Sequence, residues 1–154
     1  MTNRTIHLTE NPSSAKIAVI GLGISNVPLI RFLSRLGAKN ITVYDQSESQ
    51  QVCARIDSLL ASGMICKAVT GEGYLDEIGE AGYDVIFRAP AIRPDLPQLV
   101  RASENGALLT SEMELFFSLC PAPIYGVTGS DGKTTTTTIM AGLLETTGKT
   151  IHFG

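Results

Sequence analysis

The chain has 154 residues, of which 44% are hydrophobic and 18% charged, and its formal net charge is −3. This length allows one compact domain with an appendage, and the composition is that of a globular protein. The acidic balance argues against a general nucleic-acid binder, which usually presents a basic face. No apolar run approaches the roughly 20 residues that span a bilayer, and Met1–Glu10 lack the apolar core of a signal peptide. We therefore expect a cytoplasmic protein with neither nucleic acid nor membrane as a partner.

Strands and helices alternate along most of the sequence. Residues 1–15 are polar and are predicted to form a loose extension, with a short extended piece at residues 6–8. The predicted strands are Lys16–Ile20, Ile41–Asp45, Met64–Val69, Asp84–Phe87 and Ala107–Thr110. The predicted helices are Asn26–Leu36, Ser49–Ser62, Leu75–Ala81, Leu96–Asn105 and Ser111–Leu119. Apolar strands between amphipathic helices are typical of an α/β protein, so we expect a Rossmann-like, doubly wound parallel sheet of about five strands.

A stiff linker, Pro121-Ala122-Pro123, marks the predicted domain boundary. It separates a complete domain at residues 16–120 from residues 121–154, which comprise the linker and the start of a second domain.

The sequence after the linker predicts a strand, a turn, a helix and a further strand. Residues 124–128 have the pattern of a buried strand, and an amphipathic helix with its cap at Gly148 is expected to follow. Residues 150–153 would begin the next strand. A nucleotide-triphosphatase domain needs several further strands, so we expect this second domain to be truncated.

A first glycine loop, Gly21-Leu22-Gly23-Ile24-Ser25-Asn26, lies between the first predicted strand and the first helix. In dinucleotide-binding folds the first glycine allows a tight turn, and the second lets a diphosphate approach the backbone. Asp45 ends the second strand, where an acidic residue meets the nucleoside. Asn26 replaces the third glycine of that fingerprint and is a candidate helix N-cap. These residues predict a nucleotide-diphosphate site, and a plain tight turn is the alternative.

A second glycine loop, Gly129-Ser130-Asp131-Gly132-Lys133-Thr134-Thr135, precedes the last predicted helix. The general phosphate-loop pattern has a glycine where this chain has Val127. Backbone N–H groups can still wrap phosphates, Lys133 supplies a positive charge, and the Thr134 hydroxyl can coordinate magnesium. The loop therefore predicts an ATP site.

Taken together, the two loops resemble those of the Mur ligases of bacterial cell-wall synthesis. The segment Gly126–Thr135 is similar to the shortened ATP loop of that family, with Asp131 where the family usually has Asn. The first loop, Asp45 and the segment Ser111–Phe116 are most similar to the member that adds D-glutamate.

The resemblance implies an ATP- and Mg²⁺-dependent ligase that joins D-glutamate to UDP-N-acetylmuramoyl-L-alanine in peptidoglycan synthesis, by way of an acyl phosphate. It implies that the UDP part is bound by Gly21, Gly23, Ile24, Ser25, Asp45, Gln46 and Ala91. It implies that ATP is bound by Gly129, Ser130, Asp131, Gly132, Lys133, Thr134 and Thr135. Lys133 and Thr134 would be catalytic, with Thr134 as a magnesium ligand.

The chain departs from the family at two diphosphate contacts. Ser47 stands where the family often has Arg, and Ala89-Pro90-Ala91 replaces Ser-Pro-Gly. Arg88 or Arg93 could supply the missing charge, or could be solvated surface residues. The remaining metal ligands and the amino-acid site would lie beyond Gly154, so we expect no ligase activity from this chain alone.

Three alternatives remain open at this point. An NAD(P)- or nucleotide-binding Rossmann module, of regulatory or oxidoreductase type, would use Asp45 for a ribose hydroxyl, but it leaves the second loop unexplained. A stand-alone P-loop ATPase would lack most of its strands. Another member of the Mur ligase family would share both loops.

Overall fold

The computed structural model describes residues 11–23 and 26–152. The chain divides into two compact units, Met1–Leu119 and Cys120–Gly154. The extended piece predicted at residues 6–8 lies outside the described residues.

The first unit contains a five-stranded, all-parallel sheet with the strand order β3-β2-β1-β4-β5. The strands are β1 Lys16–Ile20, β2 Asn40–Asp45, β3 Lys67–Thr70, β4 Val85–Arg88 and β5 Leu108–Thr110. In the centre of the sheet, Ile17 is in register with Ile41 on one side and with Val85 on the other. The order runs outward from β1 in both directions, which confirms the predicted Rossmann-like α/β fold.

Five helices occur in the described residues, the last of them in the second unit. They are α1 Asn26–Arg35, α2 Gln50–Ala61, α3 Pro97–Glu104, α4 Glu112–Leu119 and α5 Lys133–Glu145. Local capping explains the start of two of them. Ser49 accepts a bond from the Val52 N–H at the start of α2. Before α4, Ser111 and Glu114 each accept a bond from the other's backbone N–H, and the pair forms a capping box.

The sheet is buried on both faces. Alternate residues of β1 contribute to two separate clusters, Ile17 and Val19 to one and Ala18 and Ile20 to the other, and all four are fully buried. Helices α1, α2 and α4 supply the first cluster, whereas α3 and the segment after β3 supply the second. This double burial explains why β1 is an unbroken apolar run in the sequence.

The helix predicted at Leu75–Ala81 is wrong. The segment is a series of turns in which the N–H groups of Asp76, Ile78 and Glu80 each bond a carbonyl three residues back. The turns bury both Leu75 and Ile78, which are three residues apart, so the apolar spacing that indicated a helix is also met by turns. The strand predicted from Met64 also begins later, at Lys67, which is the first residue in register with β2.

In the second unit, the predicted helix is confirmed as α5, and Gly148 follows it with a φ of +75°. The strand predicted at residues 124–128 is wrong, and residues 150–152 are not a strand either; Phe153 lies outside the described residues. A strand needs a neighbour to take its backbone hydrogen bonds, and the described part of this unit contains none. Across 11–23 and 26–152, no helix is long and apolar enough to cross a membrane.

Candidate functional site

Three segments that the sequence assigns to nucleotide binding meet at the carboxyl edge of the sheet. They follow β1, β2 and β4, which are adjacent strands. The N–H of Gly21 donates to the carbonyl of Tyr44 at 2.7 Å, and the N–H of Ala89 donates to that of Ile20 at 3.0 Å. The strand order reverses between β1 and β4, and ligands of open α/β sheets bind in the crevice at such a point.

The two glycines of the first loop have different structural roles. Gly21 has a φ of +85°, and a Cβ there would lie 3.1 Å from the Cβ of Ala89, so only glycine fits without strain. Gly23 is exposed, and a Cβ there would meet nothing within 4 Å. The first glycine therefore permits close packing of two loops, whereas the second borders open space.

Asp45 connects the loops that follow β1 and β2. Its Oδ2 accepts the N–H of Leu22 at 2.7 Å, and its Oδ1 accepts the N–H of Ser47 at 2.8 Å. Both carboxylate oxygens of this half-buried residue are thus engaged with backbone. Gln46 is exposed immediately after β2, and Ile24 and Ser25 lie outside the described residues.

Two polar side chains hold the first glycine loop in place. Asn26 is 2% exposed, and its Nδ2 donates to the carbonyls of Ile20 at 3.0 Å and Gly21 at 2.7 Å. The suggested N-cap role is therefore wrong, because Asn26 is itself helical and its amide acts as a donor. Nη1 of Arg55, on α2, donates to the carbonyl of Leu22 at 2.9 Å. The replaced glycine pointed to Asn26, but no pattern pointed to Arg55, which is 33 residues from Leu22.

An aromatic residue also lies near Asp45. Tyr74, in the turns after β3, is half-buried and packs against the second core cluster. Burial, together with the negative charge of Asp45, raises the pKa of its phenol. The sequence did not point to this residue, because it lies outside every motif, just before the segment predicted as a helix.

The loop after β4 contains hydrogen bonds between its own residues. Nη1 of Arg88 donates to the carbonyl of Ile92 at 3.0 Å, and Nε of Arg93 donates to Oδ1 of Asp95 at 2.9 Å. Ala91 is exposed in a turn, and every described residue with positive φ is a glycine, so Ala91 does not adopt the backbone conformation that glycine favours. Both arginines have partners inside this loop.

The second loop leads directly into α5. Gly132 is the N-cap of that helix with a φ of +75°, and residues 129–135 are all exposed. Nζ of Lys133 donates back to the carbonyls of Gly129 at 2.6 Å and Ser130 at 3.1 Å. The first N–H groups of α5 have no intrahelical partner and point out of the helix end. An exposed helix N-terminus, a lysine cation and the Thr134 hydroxyl form a donor set that fits a polyphosphate with its metal ion.

Known proteins provide an independent comparison. No family model matches the chain. Three curated relatives, each named UDP-N-acetylmuramoylalanine–D-glutamate ligase, come from Acetivibrio thermocellus, Clostridium tetani and Ruminiclostridium cellulolyticum. Identities are 48% over 133 residues, 47% over 139 and 44% over 140, which is 86%, 90% and 91% of this chain. The chain spans 28%, 29% and 29% of their lengths, less than one third.

Among solved structures, a shikimate 5-dehydrogenase-like protein, HI0607, matches with a TM-score of 0.41 and 15% identity, over 73% of this chain and 50% of that one. A similarity this low adds nothing to the fold assignment, which rests on the strand order and register. Those features define the first unit as a Rossmann-like α/β domain. The identity to curated relatives confirms the resemblance noted in the sequence: over the matched residues, the chain is similar to the D-glutamate-adding ligases of the Mur type.

Proposed function

We propose that the chain is part of an ATP-dependent ligase that joins D-glutamate to UDP-N-acetylmuramoyl-L-alanine, and that its first unit binds the UDP part. The observation that carries this proposal is the 44–48% identity to ligases of that name over most of the chain. Such a reaction uses ATP and a UDP-linked substrate, so we place it in the cytoplasm.

In this proposal the diphosphate binds at the first glycine loop. The open space beside Gly23 supports this placement, as does the meeting of three loops at the edge of the sheet. The backbone of Ile24 and Ser25 would face the phosphates, and Ala91 would approach from the loop after β4. The turn of that loop leaves Ala91 exposed.

The uracil would contact Asp45 and Gln46. Each oxygen of the Asp45 carboxylate accepts one backbone bond in the described structure. An ionised carboxylate offers about four acceptor positions, so Asp45 retains capacity for a donor on the nucleoside. Its backbone bonds would hold it in one orientation for that contact.

ATP would bind at residues 129–135. Lys133 would exchange its bonds to the Gly129 and Ser130 carbonyls for the phosphates, and the Thr134 hydroxyl would be a magnesium ligand. Bound ATP would supply the phosphoryl group that activates the substrate carboxylate. This chain's own residues would hold the phosphates and offset their charge.

We expect the isolated chain not to catalyse the ligation. It matches about 28% of the length of its relatives, whereas the reaction needs sites for three substrates. Release of phosphate from ATP that depends on both UDP-N-acetylmuramoyl-L-alanine and D-glutamate would contradict this expectation.

Calorimetric titration of the chain tests the UDP site. UDP-N-acetylmuramoyl-L-alanine and UDP should bind, and Asp45→Ala should weaken UDP binding about tenfold, as expected for loss of a bond to a charged group. Asp57→Ala is a matched control, because Asp57 is an exposed carboxylate of α2. Tighter binding of NAD than of UDP would contradict the proposal and favour a nicotinamide-binding module.

A further inference from the structure

Leu22 is held at both of its backbone polar groups by side chains from other elements. Its N–H donates to Asp45 Oδ2 at 2.7 Å, and its carbonyl accepts from Arg55 Nη1 at 2.9 Å. Its side chain is 2% exposed and belongs to the core cluster that includes α1 and α2. Because both bonds involve charged groups, rotation of this residue would break two strong hydrogen bonds and disturb the core.

The bond from Arg55 also determines the direction of the next N–H group. The peptide between Leu22 and Gly23 is planar and trans, so the Gly23 N–H points opposite to the Leu22 carbonyl. Since that carbonyl faces Arg55, the Gly23 N–H is directed away from the guanidinium. Gly23 is exposed beside open space, where a ligand can approach its backbone.

The preceding N–H groups of this loop already have partners. The N–H of Gly21 bonds the Tyr44 carbonyl, and that of Leu22 bonds Asp45. Gly23 is therefore the first residue of the loop whose N–H can serve an incoming anion. Arg55 also brings a positive charge to the first glycine loop, which is bonded to the Asp45 carboxylate. The nearby residue Ser47 is neutral and supplies no positive charge of its own.

We propose that Arg55 is a positioning residue of the diphosphate site, which orients the Leu22–Gly23 peptide so that the Gly23 N–H is a preformed donor for an anionic ligand. The inference rests on the proposed UDP-binding function of the same site. Arg55 acts through the backbone, so its loss should weaken UDP binding without removing any group that touches the ligand.

The test combines UDP calorimetry with NMR of the ligand-free chain. Arg55→Met should weaken UDP binding about tenfold, the effect of losing a hydrogen bond to a charged group. It should also change the residual dipolar coupling of the Gly23 N–H, which reports the direction of that bond. Arg55→Lys keeps the charge and one donor, so it should recover part of the affinity. Arg35→Met removes an exposed arginine from the far end of α1 and should change neither measurement.

The outcomes separate this inference from the proposed function. If Arg55→Met matches Arg35→Met in both UDP affinity and Gly23 coupling, the positioning role is rejected. A purely structural role for Arg55 would lower the melting temperature while leaving the affinity of the folded chain unchanged, which also rejects it. If the unmodified chain fails to bind UDP, the proposed function fails. In that case the residual dipolar coupling of the Gly23 N–H is the remaining test of the positioning role. A change in this coupling in Arg55→Met supports the role, and no change rejects it.

Discussion

The two glycine loops of this chain are held in place by different means. In the first loop, the polar backbone groups of Gly21 and Leu22 bond to β2 and to side chains from α1, β2 and α2. In the second loop, the lysine bonds the carbonyls of its own loop three and four residues back, and the residues are exposed.

This difference indicates how each loop should respond to substitution. The first loop is part of the core of its unit, so changes there should lower the stability of the whole unit. The second loop depends on local bonds in solvent, which contribute little to folding. Changes there should alter the binding of a ligand far more than they alter stability.

The largest expected effect is that of Asn26→Ala. It removes the donor to two carbonyls, those of Ile20 and Gly21, so the free energy of unfolding of the first unit should fall by about 3 kcal/mol. Ser130→Ala, in the exposed second loop, should change it by less than about 0.5 kcal/mol. Urea denaturation followed by circular dichroism measures both free energies of unfolding. Equal losses in the two variants would contradict the proposed difference between the loops.

A smaller effect is expected when alanine replaces a glycine with positive φ. Gly21→Ala should cost about 2 kcal/mol, because backbone strain adds to the contact with Ala89. At Gly132, with a similar φ and open surroundings, alanine should cost about 1 kcal/mol, confined to α5. Urea titration of both variants compares the costs, and a larger loss at Gly132 would contradict the expected order.

High pH should destabilise the first unit through Tyr44. Burial, followed by the hydrogen bond to Tyr83 at 2.8 Å, raises the pKa of the Tyr44 phenol above its ordinary value of 10.0. A raised pKa means that the folded state retains the proton longer, so stability is complete below pH 10 and falls as the pH rises above it. Tyr44→Phe should cost about 1 kcal/mol at neutral pH but flatten this decline. Urea midpoints between neutral and strongly alkaline pH provide the check, and an equally steep decline in the variant would rule out Tyr44 as the cause.

The smallest effect on stability is expected for Lys133→Met. Both hydrogen bonds of the lysine are exposed, so the free energy of unfolding should change by less than about 0.5 kcal/mol. If the chain binds ATP, the same variant should lower that affinity by about tenfold or more, because a phosphate contact with a cation is lost. Calorimetry with ATP, beside urea denaturation, would sharpen the contrast; a large loss of stability would contradict it.

Most elements of the first unit could be predicted because their signals are local. The apolar run of β1 and the Ser111–Glu114 pair at the start of α4 lie within a few residues of the structures they specify. The wrong predictions concern segments whose structure depends on distant partners. Residues 124–128 have the composition of a strand, but the described part of their unit provides no strand to pair with.

The sequence predicted those residues of the candidate site that lie at the ends of strands. The dinucleotide-binding fingerprint placed Gly21 and Asp45 in one site, and the structure joins their loops through the bond from Leu22 to Asp45. Arg55 was missed because its contact spans 33 residues and no local pattern marks it. Tyr74 was missed because no local pattern relates it to Asp45, and the two come close only in the folded chain.

By itself, the sequence determined the parallel α/β architecture, the position of both glycine loops and the resemblance to the Mur ligases. Each of these depends on hydrophobic period, turn chemistry or motif, which are properties of neighbouring residues. Only the tertiary structure decided how the first loop is held. Asn26 and Arg55 find their carbonyl partners after α1 and α2 have packed on the sheet, because hydrogen bonds require atoms within about 3 Å and such proximity arises from the fold.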